Sequence, residues 1–166
     1  HGAWVTSLSF SPDGQWLAAG SWDGSIRIWS LRERRLVRRL EAGTLLCLGL
    51  TFSPDSRELA VGGNDQKIRI WRQIDSGSGP DWKVHRELQG PNNEIWRIRL
   101  SQTEPRMIVT SKDGLVYATS ARTIPPRVVR FIPEPKTPSF VAWVADPRTG
   151  ILWNLHSRSR VRGFDF

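Results

Sequence analysis

The sequence predicts an all-β protein built from repeated four-stranded antiparallel sheets. Residues 7–29 and 49–71 align without a gap when one segment is shifted by 42 positions. Turn-forming Pro, Asp and Gly separate short segments that are rich in strand-forming residues. Within these segments apolar and polar residues alternate, as in Ile26-Arg27-Ile28, which is typical of a strand with one buried face.

The first unit, residues 1–42, predicts four strands separated by tight turns. Residues 11–14, Ser-Pro-Asp-Gly, predict a turn, because Pro presets the second position and Gly accepts a positive φ. Residues 22–24, Trp-Asp-Gly, predict a hairpin turn in the same way. The predicted strands are 5–10, 16–19, 26–28 and 36–40.

Three further units follow, so we treat residues 1–166 as one region of about four repeats. They are 43–90, 91–132 and 133–166; the third is carried by Leu100, Ser101, Met107, Asp113 and Val116, and the last is degenerate. A single unit of this size cannot bury both faces of its sheet, so neighbouring units must stack. This pattern predicts β-propeller blades, with Trp29 and Trp71 packed between them.

The first two units resemble WD40 repeats. His1-Gly2 stands where that family has a Gly-His pair, and the Ser-Pro-Asp turns and the two Ile-Arg-Ile-Trp segments match its pattern. The resemblance implies a partial or fragmentary WD40-type propeller of about four blades. We therefore expect a piece of a longer bacterial WD40-repeat protein, or a partial propeller that needs further blades or a second copy to close.

The resemblance also implies a hydrogen-bonded set of His, a hydroxyl residue, Asp and Trp in each blade. The first unit keeps three members of this set and the second keeps two: His1, Asp23 and Trp29, then Asp65 and Trp71. Ala19 occupies the hydroxyl position of the first unit, while Gly43 and Val61 fill the empty positions of the second. We therefore expect an incomplete polar network and blades that depend more on apolar packing.

Composition and motifs exclude several function classes. The chain has 166 residues, a hydrophobic fraction of 39% and a net charge of +8, with no apolar run long enough to span a membrane. The single Cys47 allows no internal disulfide, and we expect it to be a buried thiol. No phosphate loop, zinc-protease or serine-nucleophile motif is found. The sequence therefore predicts no enzyme, no cofactor and no metal.

A recurring aspartate has two interpretations. Asp23, Asp65 and Asp113 occupy matching positions, which could indicate a ring of metal ligands. Each is better explained as a residue that stabilises its own turn, because an Asp side chain accepts hydrogen bonds from nearby backbone N–H groups.

By resemblance, partners dock on the first strand of each blade and just before the turn aspartate. These positions are Trp4, Thr6, Trp22, Leu46, Leu48, Asn64, Glu94, Trp96 and Lys112. Exposed tryptophans are frequent in protein-binding hot spots, although Trp4 and Trp22 could instead cover each other within a blade.

The basic residues leave a second function open. Of 24 basic residues 20 are Arg, and residues 32–39 form an Arg-rich stretch. This stretch could bind phosphates, or it could be an outer strand whose charges discourage edge pairing, which we favour. We predict a cytoplasmic, non-catalytic protein-interaction scaffold or sensor within a larger signalling protein. The alternatives are a basic nucleic-acid-binding module, an enzyme site assembled across blades near Glu94, and a purely structural role.

Overall fold

The computed structural model describes residues 1–77, 80–100 and 106–112, together with the backbone of five later strands. Every described element is a strand, which confirms the all-β prediction. Among the described residues, no helix is long and apolar enough to cross a membrane.

Three four-stranded antiparallel sheets follow one another along the chain, each with its strands in sequence order. Blade 1 contains β1 Val5–Phe10, β2 Trp16–Ser21, β3 Ser25–Ser30 and β4 Arg35–Glu41. Blade 2 contains β5 Cys47–Phe52, β6 Glu58–Gly63, β7 Lys67–Asp75 and β8 Pro80–Gln89. Blade 3 contains β9 Ile95–Leu100, β10 Arg106–Ser111, β11 Val116–Ser120 and β12 Val129–Phe131. A further three-stranded sheet contains β13 Trp143–Asp146, β14 Ile151–Asn154 and β15 Arg160–Val161.

The segment 75–81 differs from the loop that its Ser and Gly content suggests. Asp75 ends β7 and pairs with Pro80, which begins β8, so the two strands stay paired at both ends of this segment. Trp82 of β8 is buried and packs edge-on against Phe52, with ring centroids 5.7 Å apart. The burial of this indole explains why the two long strands stay paired beyond the ordinary blade.

Apolar side chains between adjacent blades form the core. One cluster joins blade 1 to blade 2: Trp16, Ala18, Ile26, Ile28, Leu40, Ala42, Cys47, Leu50, Phe52, Leu59, Val61, Trp71 and Trp82. A second joins blade 2 to blade 3: Ala60, Ile68, Ile70, Leu88, Ile95, Ile98, Met107 and Val109. The alternation predicted for Ile26 and Ile28 thus places both between blades. Each fully buried side chain of this size contributes about 1.5–3 kcal/mol.

Serine side chains of β1 connect blade 1 to the first strand of blade 2. The backbone N–H of Leu50 donates to Ser7 Oγ over 3.1 Å, and that of Phe52 donates to Ser9 Oγ over 3.2 Å. Because β5 lies beside β1 and not within the same sheet, these N–H groups would otherwise lack a partner. The alternating Ser residues of β1 therefore fix the position of the second blade.

An ion pair connects the outer strands of the same two blades. Arg38 Nε of β4 donates to Asp81 Oδ1 of β8 over 3.1 Å. The backbone N–H of Trp82 and the Arg38 guanidinium together lower the pKa of the Asp81 carboxyl.

Blade 1 has one apolar face that the described residues leave uncovered. Phe10 is 64% exposed, whereas its repeat counterpart Phe52 is 3% exposed because blade 1 packs on it. Leu8 is exposed and Leu50 is buried for the same reason. Trp29 lies on this uncovered face and is only partly buried, so its predicted place between two blades holds for Trp71 but not here.

The turns of the two repeats reach the same backbone shape with different residues. Gly14 and Gly24 have φ values of 69° and 73°. The equivalent positions of blade 2 are Ser56 and Gln66, with φ values of 62° and 66°. A side chain in this left-handed region costs about 1–2 kcal/mol, which Gly avoids.

Candidate functional site

The first strand of each of the three blades contains a β-bulge at the same place. The bulged residue is Thr6 in β1, Leu48 in β5 and Trp96 in β9. A bulge inserts one unpaired residue and redirects its side chain. Three of the nine predicted partner-binding residues therefore share one local geometry, at the end of the blades that we call the bulge face.

The remaining six lie beside the bulges in three pairs, one pair per blade. The Trp4 and Trp22 rings stack with centroids 4.9 Å apart and planes inclined by 26°. In blade 2, the backbone N–H of Leu46 donates to Asn64 Oδ1 over 3.0 Å. In blade 3, Lys112 Nζ lies 3.0 Å from Glu94 Oε1.

Stacking does not remove the tryptophans from solvent. Trp4 is 70% exposed, and Trp22 and Trp96 are also exposed. The rings of Trp4 and Trp22 therefore cover each other on one side and stay open to solvent on the other, and partner binding through them stays a prediction. A preformed aromatic pair loses little conformational freedom on binding, which favours its use as an anchor.

Two of the predicted partner-binding residues also have structural contacts. The Thr6 hydroxyl donates to the Cys47 carbonyl and lies 3.2 Å from the Gly20 carbonyl, so it connects the first two blades. Asn64 Oδ1 also accepts from the Thr44 hydroxyl over 2.8 Å, which holds the loop before β5. These contacts are sufficient to explain why Thr and Asn occupy the two positions, even if neither residue binds a partner protein.

In blade 1 a polar network surrounds the turn aspartate. His1 Nδ1 lies 3.1 Å from Ser25 Oγ and 3.4 Å from Asp23 Oδ1, and Gly2 N–H donates to Asp23 Oδ2 over 2.8 Å. Burial alone would raise the pKa of Asp23, but hydrogen bonds from Ser25 and Gly2 outweigh it and lower that pKa strongly. Ser25 thus supplies a hydroxyl that the sequence analysis overlooked.

The other imidazole nitrogen of this network lacks a partner. His1 Nε2 is buried and has no hydrogen bond to any described residue. The two residues that His1 contacts, Ser25 and Trp29, alternate with Arg27 on one face of β3, and Arg27 pairs across the strands with Ala19 of β2. An alanine at the expected hydroxyl position therefore leaves this nitrogen unsatisfied.

Blade 2 replaces the missing histidine with an arginine. Arg69 Nη1 lies 2.6 Å from Asp65 Oδ2, and Arg69 Nε lies 3.1 Å from Glu87 Oε2. A Cβ atom at Gly43 would lie 2.7 Å from Arg69 Nε, so the guanidinium occupies the space next to the position of the absent imidazole. The histidine set of this blade is incomplete, as expected, and an ion-pair network of Arg69 with Asp65 and Glu87 lies in its place.

A cleft of about 490 Å³ opens between the first strands of the three blades, next to the bulge face. Trp22, Leu46, Leu48 and Trp96 contribute apolar surface to it, and Arg97 and Arg99 contribute charge. The sequence analysis missed these two arginines, and it also missed Leu45, which is 80% exposed in the loop before β5. The departure of Arg97 and Arg99 from the small residues of the other repeats is the signal that could have identified them.

Several other predicted residues have unremarkable surroundings. Cys47 is fully buried, and burial raises the pKa of its thiol to about 12, which makes it unreactive. In the Arg-rich stretch, Arg35 and Arg39 pair with Glu33 and Glu41. Among the described residues no group of His, Cys, Asp and Glu could hold a metal ion, and Asp113 lies outside those residues.

Comparison with known proteins identifies the repeats. The sequence model of the family described as "WD domain, G-beta repeat" matches residues 1–30 and 35–72. These two stretches are therefore WD40 repeats, and the relatives that match this chain include the ribosome biogenesis protein BOP1. The resemblance predicted from the two Ile-Arg-Ile-Trp units is thereby confirmed.

Individual relatives match over one repeat length. The chain is 49% identical over 43 residues to the human ribosome biogenesis protein BOP1, covering 26% of this chain and 6% of that protein. It is 54% identical over 37 residues to ribosome biogenesis protein ERB1 of Debaryomyces hansenii, covering 22% and 5%. It is 38% identical over 40 residues to the antiviral protein SKI8 of Saccharomyces cerevisiae, covering 24% and 10%. The matches thus span a tenth or less of these relatives.

Proposed function

We propose that this chain is a non-catalytic protein-interaction platform of WD40 type whose partner binds on the bulge face. The observation that supports this most directly is the aromatic surface that consecutive blades present there. Trp4, Trp22 and Trp96 are large, exposed and held by paired strands or by stacking. Rigid aromatic side chains of this kind supply much of the affinity of protein interfaces.

The affinity that this surface can supply is substantial. A buried interface tryptophan often contributes about 2 kcal/mol or more, which corresponds to roughly a 30-fold change in affinity. Leu45 and Leu46 extend the apolar surface of the Trp4–Trp22 pair, because their loop adjoins the turn that follows Trp22. The patch therefore continues from blade 1 through blade 2 to the Trp96 bulge.

The experiment that tests this proposal is affinity capture with the tagged chain, with and without nuclease. A captured protein is identified, purified and titrated against the parent chain and two variants. We expect the Trp22→Ala/Trp96→Ala variant to bind at least 100-fold more weakly, by the sum of two hot-spot losses. The control is Val84→Ala, which truncates an exposed apolar residue of the outer strand β8. Equal affinity of both variants for the captured protein contradicts the proposal.

The nuclease arm addresses the nucleic-acid alternative. The outer strand of blade 1 carries a basic stretch, but Arg35, Arg38 and Arg39 each pair with a carboxylate. These pairs reduce the free positive charge that phosphates could use. Capture that disappears with nuclease and is unaffected by the tryptophan variants would favour nucleic acid over a protein partner.

Three further properties are also proposed: what covers blade 1, the role of the protein and its location. We propose that the uncovered face of blade 1 packs on a further blade or on a second copy of the chain, because the counterpart of Phe10 is buried in this way. Phe10→Gln should then weaken self-association in light scattering if a second copy is the occupant. A role in signalling and a cytoplasmic location are also predictions; the relatives are named for ribosome biogenesis and antiviral action, which favours a role within an assembly.

A further inference from the structure

The cleft beside the bulge face combines an apolar rim with basic side chains, and this combination restricts the partner. Leu46, Leu48 and Trp96 form apolar surface at the rim. Arg97 and Arg99 follow the Trp96 bulge along β9 and are exposed in the cleft. The volume of about 490 Å³ lies within the range of pockets that hold ligand groups.

The charges in the cleft do not cancel. Lys112 is paired with Glu94 over 3.0 Å. Within the part of the chain that the structure describes, no carboxylate lies within ion-pair distance of Arg97 or Arg99. The polar contact seen for the Arg99 side chain is Nη1 to the carbonyl of Ile98, at 3.4 Å. The cleft therefore has two positive charges that described carboxylates do not neutralise.

In the other two repeats, small residues occupy the positions of Arg97 and Arg99, and in blade 1 these residues contact the next blade. The equivalent positions of blades 1 and 2 hold small residues: Ser7, Ser9, Gly49 and Thr51. In blade 1 the two serine hydroxyls accept hydrogen bonds from the first strand of the next blade. An arginine has no acceptor and cannot make these bonds. Blade 3 therefore has the exposed N–H donors of two arginines at positions where blade 1 has serine hydroxyls that accept hydrogen bonds from the neighbouring strand.

We propose that this cleft binds an acidic peptide segment in which a large apolar side chain lies next to one or more carboxylates. The proposal rests on the protein-binding function proposed above and specifies its partner. The apolar side chain contacts Leu48 and Trp96, and the carboxylates pair with Arg97 and Arg99. A guanidinium can bind a carboxylate through two parallel N–H donors, which gives geometric as well as charge selectivity.

A library of short random peptides displayed on phage tests the chemistry directly. Selection uses the full chain as bait, with the Trp22→Ala/Trp96→Ala variant for counter-selection. We expect the enriched peptides to carry Asp or Glu within a few residues of Leu, Phe or Trp. A synthetic peptide from this set is then titrated by fluorescence anisotropy against the chain and its variants.

The decisive variant is Arg97→Gln/Arg99→Gln, with Arg34→Gln as the matched control, since Arg34 is an exposed arginine in the turn before β4. Hydrogen bonds to charged groups are stronger than those between neutral groups, so losing both charges should weaken the binding of the acidic peptide at least tenfold. The control should bind as the parent does. Replacing the carboxylates of the peptide by amides should remove most of the difference between parent and double variant.

The other outcomes separate this inference from the proposed function. Enriched peptides that are apolar without acidic residues, or that bind the arginine variant normally, refute the acidic partner and leave the platform intact. A double variant that melts well below the parent and the control shows that the arginines are structural, which also refutes it. Competition by a single-stranded oligonucleotide at lower concentration than the peptide assigns the arginines to phosphate. A failure to enrich any peptide that discriminates against the tryptophan variant contradicts both proposals.

Discussion

Gly20 lies where the contact between blades 1 and 2 leaves no room for a methyl group. A Cβ atom there would overlap Cys47 Sγ and lie 2.9 Å from Leu50 Cδ2. The backbone of Gly20 is outside the left-handed region, so alanine is compatible with its conformation. Gly20→Ala therefore isolates a steric effect between two blades.

The magnitude follows from that overlap. Adding a methyl group to a packed core typically costs about 1–3 kcal/mol. Alanine also lowers the conformational entropy of the unfolded chain, which offsets about 0.4–1 kcal/mol of this cost. Cys47→Ala alone costs on the order of 1 kcal/mol, because it leaves a small cavity. In the double variant the sulfur is gone, the Cys47 Cβ lies 3.4 Å from the new methyl group, and the close contact that stays is with Leu50 Cδ2, the end of a flexible side chain that can shift. We expect the double variant to be more stable than the sum of the two losses by about 1–2 kcal/mol.

Urea denaturation of the four proteins, followed by tryptophan fluorescence and circular dichroism, measures this coupling. The control is Gly2→Ala, whose Cβ would meet only Asp23 Oδ2 at 3.8 Å and should leave the midpoint unchanged. Losses that add to within about 0.5 kcal/mol would refute the reasoning, because independent sites behave in that way. Such additivity would mean that Gly20 and Cys47 do not touch.

Three further predictions concern the polar contacts and the turns. Ala19→Ser should raise the melting temperature, since a hydroxyl there can bond the unpartnered imidazole nitrogen of blade 1 for about 1 kcal/mol; an unchanged melting temperature contradicts this. Gln66→Gly should stabilise the chain in urea by about 1 kcal/mol by removing a positive φ from a side-chain-bearing residue, and destabilisation would show that the side chain matters more. Because the N–H of Trp82 and the Arg38 guanidinium lower the pKa of Asp81, its stabilisation is present above about pH 4 and is lost as the pH falls through its lowered pKa. The stability difference between the parent and Asp81→Asn should therefore shrink from pH 5 to pH 3, and a constant difference would contradict the assignment.

The fold was predictable because the repeat determines it almost residue by residue. The shift of 42 positions aligns the two Ile-Arg-Ile-Trp strands, and these strands occupy β3 and β7. The turns were predictable from Pro and Gly at fixed offsets. One feature of the fold was not predicted. Residues 75–81 look like a loop in the sequence because Ser and Gly dominate them, whereas the structure pairs Asp75 with Pro80 and buries Trp82 beside them.

The sequence predicted a set of candidate site residues that lie near one another in the structure, but it did not predict their contacts. The bulges at Thr6, Leu48 and Trp96 are not visible in composition, yet the resemblance placed partner contacts on these residues. What the sequence does not show is which polar side chains are already engaged. Asn64 is one such residue, because its oxygen accepts a backbone N–H and a hydroxyl from the same loop.

The Ile-Arg-Ile-Trp segments show why identical repeat residues require separate interpretation. Arg27 and Arg69 occupy the same position, but Arg69 pairs with Asp65 and Glu87, whereas Arg27 Nε is buried without a partner among the described residues. The difference arises one strand away, because His1 occupies the aspartate of its blade and Gly43 leaves the aspartate of the next blade free for the arginine. The contacts of an arginine in a repeat therefore depend on whether the histidine is present at the start of that repeat. The same reasoning gives weight to the arginines of β9, which stand where the other blades use small residues for packing.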